Sequence, residues 1–367
     1  MTEAPSRPAG RPGRAKQIVW FVLGVLIVIA IFVFAIPRFA DWGEVWTAMK
    51  TLTIIELWTL VAATIFNLYT YWLANKAALP GLGIARSAVV TQTGTSVANT
   101  VPAGGAVAVG MTYAILSSWG FTGAEAALFV GVTGVWNSFT KLALPVVALG
   151  LLVVTGHANP GLVGAAAVGI VALVVAIVVL TLVFRSSAVA RRVGASIGRV
   201  LTRLRRLVRK GPAPDLGERA VEFRRKTIVL VERRWLKLTW TTLLSHVALF
   251  VVLLLSLRHM GVSEDEVSTV EAFAVFAFAR LLSAIPITPG GVGVIDLGYI
   301  GGLSAIHHAE SAHIIAAVLI FRVLTYGIQI PLGGATYFIW RVRTSWRRDT
   351  PPPGSISAQL ESVTVEG

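Results

Sequence analysis

The chain has 367 residues, 55% of them hydrophobic and only 14% charged, with a mean hydropathy of +0.75. These values differ from those of soluble domains and indicate an integral membrane protein. The absence of cysteine excludes disulfides, thiolate metal sites and cysteine nucleophiles. The net charge of +14 comes mostly from basic residues between apolar runs, and positive-inside topology explains it better than nucleic-acid binding does.

Long apolar runs predict the membrane-spanning helices of an all-α, polytopic domain covering residues 17–340. The first run, 18–36, follows a basic, Pro- and Gly-containing segment 1–16, so we expect an uncleaved anchor after a disordered cytoplasmic N-terminus. Further spans are predicted at 53–74, 122–155, 160–184, 238–257 and 311–340. The total is expected to be about seven transmembrane helices plus two re-entrant helical hairpins.

The two hairpins are predicted where apolar segments are interrupted by proline and glycine. Residues 87–119 contain Asn-Thr-Val-Pro-Ala-Gly-Gly at 99–105, and residues 267–306 contain Pro-Ile-Thr-Pro-Gly-Gly-Val-Gly at 286–293. A continuous helix cannot pass such breaks, and the freed backbone groups cannot face lipid. If each segment crossed the membrane once, the most basic loop would lie outside. We therefore predict that the first hairpin enters from the cytoplasm and the second from the outside.

An inverted repeat is indicated by the order span, hairpin, long span in residues 53–155 and again in 237–340. Pro145 follows Gly105 by forty residues, and Pro331 follows Gly291 by the same interval. Interrupted segments in corresponding positions of two halves point to a binding site at the membrane midplane. Half-helices that begin near Gly104 and Gly290 would direct free amide protons toward that site and favour an anion there.

The longest polar stretch, 185–237, carries sixteen Lys or Arg residues against four acids. Apolar residues at 193, 197, 200, 204 and 207 recur at helical spacing, with basic residues on another stripe. We predict an amphipathic helix in the cytoplasmic loop 185–236 that binds anionic lipids of the inner leaflet, with a solvated linker as the alternative. Four arginines at 341, 343, 347 and 348 then place the end of the last span inside, before a tail 341–367 that we expect to be disordered.

Charged residues inside the predicted spans are the main candidates for substrate binding. Lys141 and Arg322 lie within long spans, where a charge is costly and usually functional, although snorkelling or a structural ion pair would also explain them. Arg280 and Asp296 flank the second break and are expected to pair across the hairpin or to contact a phosphate. The candidates beside the breaks are Asn99, Pro102, Gly104, Gly105, Thr288, Pro289, Gly290 and Gly291.

Other sequence patterns give weaker evidence for functional residues. The polar residues Asn99, Thr100 and Thr288 have the alternative role of capping freed backbone groups. His246 lies in mid-span among hydroxyl residues, where a packing role outweighs proton relay. The histidines at 307, 308 and 313 are weak evidence for metal, so no catalytic residue, metal or cofactor is predicted. Gly290 to Gly293 lack the Lys and Ser/Thr of a P-loop.

The residues Arg280, Ser283, 285–293 and Asp296 resemble the signature of the flippase-like membrane region of bacterial lysylphosphatidylglycerol synthetases and their stand-alone relatives. Residues 99–105 resemble that family's first hairpin, and the resemblance covers about 15–340. The family's usual acid after Pro-Gly-Gly is glutamate, whereas this chain has Asp296. The sequence contains no soluble aminoacyl-transferring domain, so the resemblance implies lipid translocation without the synthetic step.

These observations lead to one main hypothesis and two alternatives. The main hypothesis is a non-enzymatic transporter in the bacterial inner membrane, with both termini cytoplasmic, that moves a phospholipid or polyprenyl-linked head group through a midplane cavity. One alternative is an accessory subunit that recruits a lipid synthase or glycosyltransferase through the basic loop. The other is a membrane-embedded enzyme acting on lipid phosphates, with Asp296 or His246 as the base. No nucleic-acid partner is expected.

Overall fold

The computed structural model describes residues 42–100, 104–156, 186–207, 216–283, 288–306 and 311–358, with a few single positions between 170 and 178. Within these ranges the chain is helical, with turns between the helices and no strand. The helices are α1 (Trp42–Lys50), α2 (Ile54–Ala78), α3 (Ile84–Thr100), α4 (Gly104–Ser118), α5 (Gly123–Val154), α6 (Ser187–Leu207), α7 (Leu216–His259), α8 (Thr269–Leu282), α9 (Val294–Ser304), α10 (Ser311–Arg322) and α11 (Gln329–Val342).

Four stretches of the described chain are long and apolar enough to cross a membrane: Ile54–Ala78, Gly123–Val154, Glu232–His259 and Ser311–Val342. They coincide with four predicted spans and confirm a polytopic membrane protein. The other two predicted spans, 18–36 and 160–184, lie outside the described residues apart from single positions. The predicted ranges themselves number six, one fewer than the expected total of about seven.

The first interrupted segment forms two short helices, α3 and α4, which pack against each other. They have 17 and 15 residues, which corresponds to about 25 and 22 Å at a rise of 1.5 Å per residue. Neither reaches the roughly 30 Å of a hydrocarbon core. The break between them falls at 101–103, so α3 ends and α4 begins beside the predicted Pro-Ala-Gly-Gly motif.

The second interrupted segment also forms two short helices. α8 has 14 residues and α9 has 11, and the two pack against each other with the turn Pro289–Gly291 between them. A capping box starts α8, because the Ser268 hydroxyl accepts from the Glu271 backbone while the Glu271 carboxylate accepts from the Ser268 backbone. The second helix break therefore lies at the proline and glycine residues that the sequence indicated.

The two halves pack against each other in a reciprocal way. The long helix α5 of the first half packs against α8, the first hairpin helix of the second half. In turn, α11 of the second half packs against α3, the first hairpin helix of the first half. The opening helices α2 and α7 pack antiparallel, since Thr59 bonds His259 over 2.8 Å and the Asn67 amide donates to the Ser245 carbonyl over 3.1 Å.

The predicted amphipathic helix is observed as α6, which packs against α7. α7 is longer than the span predicted within it, because it runs for 44 residues, or about 66 Å. Its first part therefore extends beyond any bilayer and forms a helical pair with α6. Arg191 and Glu218 join the two helices through an exposed ion pair of 2.9 Å.

The C-terminal tail is not disordered over its described part, which corrects the prediction for 341–358. After α11 the chain folds back across the turns of the first half: the Arg348 amide donates to the Ser118 carbonyl over 3.1 Å, and the Ser357 amide donates to Glu125 over 2.9 Å. Ile356 is buried in the apolar cluster around Trp119, whose ring meets Trp346 edge-on. The tail thus joins the end of the second half to the first.

Candidate functional site

The two helix breaks meet at one side chain, Tyr326. Its hydroxyl donates to the Asn99 carbonyl at the end of α3 over 2.9 Å. Its ring lies against Gly290, where an added Cβ would come within 2.0 Å of a ring carbon. Tyr326 is part of a π-helical segment, Val323–Gly327, that separates α10 from α11. The final span therefore contacts the tips of both hairpins.

The turn of the second hairpin depends on glycine. Gly290, Gly291 and Gly293 have φ values of 59°, 71° and 83°, in the left-handed region that other residues rarely adopt. Thr288 stabilises the turn, since its hydroxyl donates to the Val292 carbonyl over 2.8 Å and its carbonyl accepts from the Gly291 amide over 2.9 Å. Thr288 thus has the capping role named as its alternative, while Pro289 opens the turn.

Asp296 pairs with Arg322, and not with Arg280 as the sequence suggested. Its Oδ1 lies 2.6 Å from Arg322 Nε, and the two side chains are only 3% and 15% exposed. Its Oδ2 accepts from the Gly293 amide over 2.7 Å. The Arg322 guanidinium also reaches the Gly290 carbonyl at 3.4 Å and lies over the Tyr326 ring at 4.8 Å. One ion pair therefore fixes the second hairpin to the final span.

The amide ends of the two half-helices differ. α4 begins at Gly104 as predicted, but the second half-helix begins at Val294 and not near Gly290. The Asp296 carboxylate, three residues after Gly293, caps the start of α9, so this amide end already has an anion. At the first tip, Gly104 lies so close to α3 that an added Cβ would be 2.4 Å from the Ala98 carbonyl oxygen, while Gly105 has open space. Pro102 lies outside the described residues.

Lys141 and Arg280 form a second group of charges, with His246. The three side chains come from α5, α8 and α7, three helices that pack against one another, and they lie within electrostatic range of each other. Among the described residues, neither Lys141 nor Arg280 has a carboxylate within ion-pair distance. Arg280 Nε is buried without a hydrogen-bond partner in that part of the chain, and so is His246 Nε2.

Sequence reasoning did not single out Tyr326 or Ser96. Tyr326 follows Arg322 by four residues, and helical spacing places both on one face. The spacing could therefore have identified Tyr326 as a neighbour of Arg322 from the sequence. Ser96 donates to the Ile330 carbonyl over 3.1 Å and lies against Gly333, a contact between distant segments that no local pattern reveals. Of the histidines that gave weak evidence for metal, His307 and His308 lie outside the described residues, and His313 is part of α10.

The chain was compared with known proteins. No curated protein matches it. Residues 21–333 match the family model described as the lysylphosphatidylglycerol synthase TM region, which covers nearly the whole chain and both hairpins. At the level of the family, such membrane regions have a flippase-like, lipid-related function. The match agrees with the multi-pass helical architecture and with the broken segments described above. The chain therefore belongs to the family of the lysylphosphatidylglycerol synthase transmembrane region.

Proposed function

We propose that this protein translocates the head group of a phospholipid or lipid-linked carrier across the bacterial inner membrane. The observation that carries the proposal is the meeting of two helix breaks, Asn99 and Gly290, at Tyr326. Backbone groups at such breaks need protein or water as partners and cannot face lipid. A head group passing between the leaflets needs the same polar surroundings, while its acyl chains stay in the bilayer.

The two halves act as inverted repeats around this meeting point. The reciprocal packing of α5 against α8 and of α11 against α3 supports the repeat, because an inverted duplication generates such matched contacts in pairs. The antiparallel pairing of α2 with α7 supports it as well. Rocking of one half against the other would expose the region between the hairpin tips alternately to the two sides.

The orientation follows from charge. The sixteen basic residues of 185–237 lie on the side of the membrane from which the span in α7 starts. Leu238, near the start of that span, belongs to the apolar cluster in which Ile356 of the tail is buried, and Arg341 and Arg343 follow the last span on the same side. The positive-inside rule assigns this end to the cytoplasm. The first hairpin would then enter from the cytoplasm, the second from the outside, and both termini would be cytoplasmic. The α6–α7 pair would contact anionic lipids of the inner leaflet.

Lys141 and Arg280 are the residues that we assign to head-group binding, with Arg322 and Asp296 holding the second hairpin beside them. Buried charges cost about 2.5–3.5 kcal/mol each or more at the centre of a bilayer. Arg322 is compensated by Asp296, whereas the described chain offers Lys141 and Arg280 no acid. Their retention in the membrane interior is best explained by a negatively charged ligand.

A second candidate function is recruitment of a lipid synthase or glycosyltransferase. It is favoured by the length of α7, whose first part extends with α6 beyond the bilayer and presents a basic surface. In this case the membrane region would present lipid to the partner without moving it. The two functions differ in whether the purified protein alone translocates lipid.

The test is translocation by the purified full chain in liposomes. Fluorescent lipids are incorporated into both leaflets, and dithionite then reduces only the label in the outer leaflet. With the protein present we expect reduction to proceed beyond about half of the label, at which protein-free liposomes stop. Arg280→Ala and Lys141→Ala are each expected to slow translocation about tenfold, the loss of one charge-assisted contact. Expression should stay near normal.

Two exposed basic residues provide matched controls. Lys76→Ala and Arg341→Ala remove one positive charge each at the cytoplasmic ends of α2 and α11, outside the site. Both variants should translocate lipid at the rate of the unchanged protein. Translocation that is absent until a soluble synthase or glycosyltransferase is added would overturn the proposal in favour of recruitment.

A further inference from the structure

Positive and negative charges do not balance in the described part of the membrane region. In the described spans, the acids other than Asp296 lie at span ends, where Glu56, Glu125 and Glu271 cap the starts of α2, α5 and α8 and Glu232 opens the span in α7. Asp296 is the acid that lies deeper, and its Oδ1 forms an ion pair of 2.6 Å with Arg322 Nε, although the geometry is not that of a hydrogen bond. Lys141 and Arg280 are thus left with two positive charges in the interior of this part of the protein.

The surroundings of the two cations are polar and unsatisfied. Arg280 Nε has no hydrogen-bond partner among the described residues, although it is buried. His246, which is completely buried, uses its Nδ1–H to donate to the Thr242 carbonyl over 3.0 Å. The carbonyl can only accept, so Nδ1 carries the proton and Nε2 of the neutral ring presents a lone pair. That lone pair is buried and has no partner in the described chain.

Two cations and one hydrogen-bond acceptor from three helices define a specific ligand chemistry. We infer that Lys141, Arg280 and His246 bind an anionic phosphate whose head group also carries a hydroxyl donor. The phosphate oxygens lie between the ammonium of Lys141 and the guanidinium of Arg280, whose planar fork matches a phosphate. The hydroxyl donates to His246 Nε2. The inference rests on the proposed function for the nature of the ligand, a lipid head group.

Net charge then decides between classes of lipid. A phosphodiester head group without an ammonium compensates one of the two positive charges, and this lowers the cost of burying the pair. A zwitterionic head group brings a further positive charge into the site and compensates less. A head group with an added amino acid carries still more positive charge and fits worst. The protein should therefore select unmodified anionic lipids, either phosphodiesters with a hydroxylated substituent or phosphomonoesters that retain a P–OH group.

The test is native mass spectrometry of the full chain released from detergent with one added lipid at a time. The probes have identical acyl chains: phosphatidylglycerol, phosphatidic acid, phosphatidylmethanol, phosphatidylethanolamine and phosphatidylcholine. We expect phosphatidylglycerol and phosphatidic acid to be retained about tenfold more than phosphatidylcholine, as one charge-assisted hydrogen bond would give. Phosphatidylmethanol, which has the charge but no hydroxyl, should bind at an intermediate level.

Variants separate the roles of the three residues. Lys141→Gln and Arg280→Gln should each lower the retention of all three anionic lipids, whereas Arg280→Lys keeps the charge and should retain most of it. His246→Leu should remove the preference for phosphatidylglycerol over phosphatidylmethanol and leave the binding of phosphatidylmethanol unchanged. Lys76→Gln and Arg341→Gln, which remove exposed charges in the last turns of α2 and α11, are the matched controls for adventitious attraction to exposed charge and should change nothing.

The outcomes for binding and for translocation are distinguishable. Equal retention of anionic and zwitterionic lipids, or a loss in the control variants as large as in Lys141→Gln, would overturn the anionic site even if liposomes show translocation. Selective retention that depends on Lys141 and Arg280, without any translocation in liposomes, would support the site and overturn the proposed function. A preference for phosphatidylethanolamine would also overturn the inference.

Discussion

At the scale of single residues, the Asp296–Arg322 pair matters most because it joins the second hairpin to the final span. Asp296 is 3% exposed and also caps the start of α9 at Gly293. Removing one member of a buried ion pair leaves an uncompensated charge, which typically costs about 3–5 kcal/mol. The hairpin turn, the helix start and the final span all depend on this carboxylate.

We therefore predict that Asp296→Asn strongly lowers the thermal unfolding temperature of the detergent-solubilised protein, and that Arg322→Gln does the same. The double variant should be more stable than the sum of the two single losses predicts, because it removes both charges together. The coupling is measured as a double-mutant cycle of unfolding temperatures. Additive losses would mean that the two residues do not stabilise each other.

This pairing also shows what local sequence could not provide. The sequence placed Arg280 and Asp296 on the two arms of one hairpin, which made them the natural partners. Arg322 is 26 positions further along the chain than Asp296, and its choice as partner depends on how α10 packs against α9. Sequence identified which residues are charged and buried, but the partner is set by tertiary packing.

At the scale of helices, the crossing of α3 and α11 is a close contact between the two halves. Gly333 of α11 faces Ser96 and Gln92 of α3, where an added Cβ would lie 2.2 Å from Ser96 Cβ and 2.5 Å from the Gln92 carbonyl oxygen. Ser96 and Ile330 share a hydrogen bond of 3.1 Å at the same crossing. Small residues allow such close approach of helices in membranes.

Gly333→Ala is expected to destabilise the protein by about 1–3 kcal/mol, since the methyl group must displace backbone as well as side chain. The neighbouring Gly334→Ala is the matched control, because an added Cβ there meets nothing within 4 Å. Alanine favours a helix over glycine by up to about 1 kcal/mol, so the control should be neutral or stabilising. Unfolding temperatures of the two variants in the same detergent provide the measurement, and equal effects would contradict the close crossing.

The helix breaks themselves were predictable. Proline and glycine act locally, so Gly104, Pro289 and Gly290 marked the interruptions from sequence alone, and the short helices α3, α4, α8 and α9 begin or end beside them. The start of the second half-helix at Val294 was not predicted, because the capping of Gly293 by Asp296 competes with a start at Gly290. Local chemistry thus located the breaks but not the register of the helix that follows.

At the scale of the whole molecule, the tail connects the two halves in addition to the contacts between their membrane helices. Residues 343–358 leave α11 in the second half and dock on the turns of the first half at Gly81, Gly120 and Thr122. Composition suggested disorder, since the segment is rich in proline and polar residues. Its order comes from contacts with residues more than 200 positions away, such as the bond between Ser357 and Glu125. Contacts between residues so far apart in the chain cannot be predicted from local patterns in a single sequence.

The docked tail closes one end of the protein and should hinder any rocking that separates the halves there. The Thr122 and Ser357 hydroxyls lie 3.3 Å apart, so cysteines at these two positions would bring their sulfur atoms close to each other. Because the chain has no cysteine of its own, Thr122→Cys with Ser357→Cys can form only this bond within one molecule. We predict that oxidation of the double variant slows lipid translocation in liposomes at least about tenfold and that dithiothreitol restores it.

Each single cysteine variant, treated in the same way, is the control. Undiminished translocation by the fully oxidised protein would mean that the tail stays docked throughout the cycle and that alternating access does not open this end.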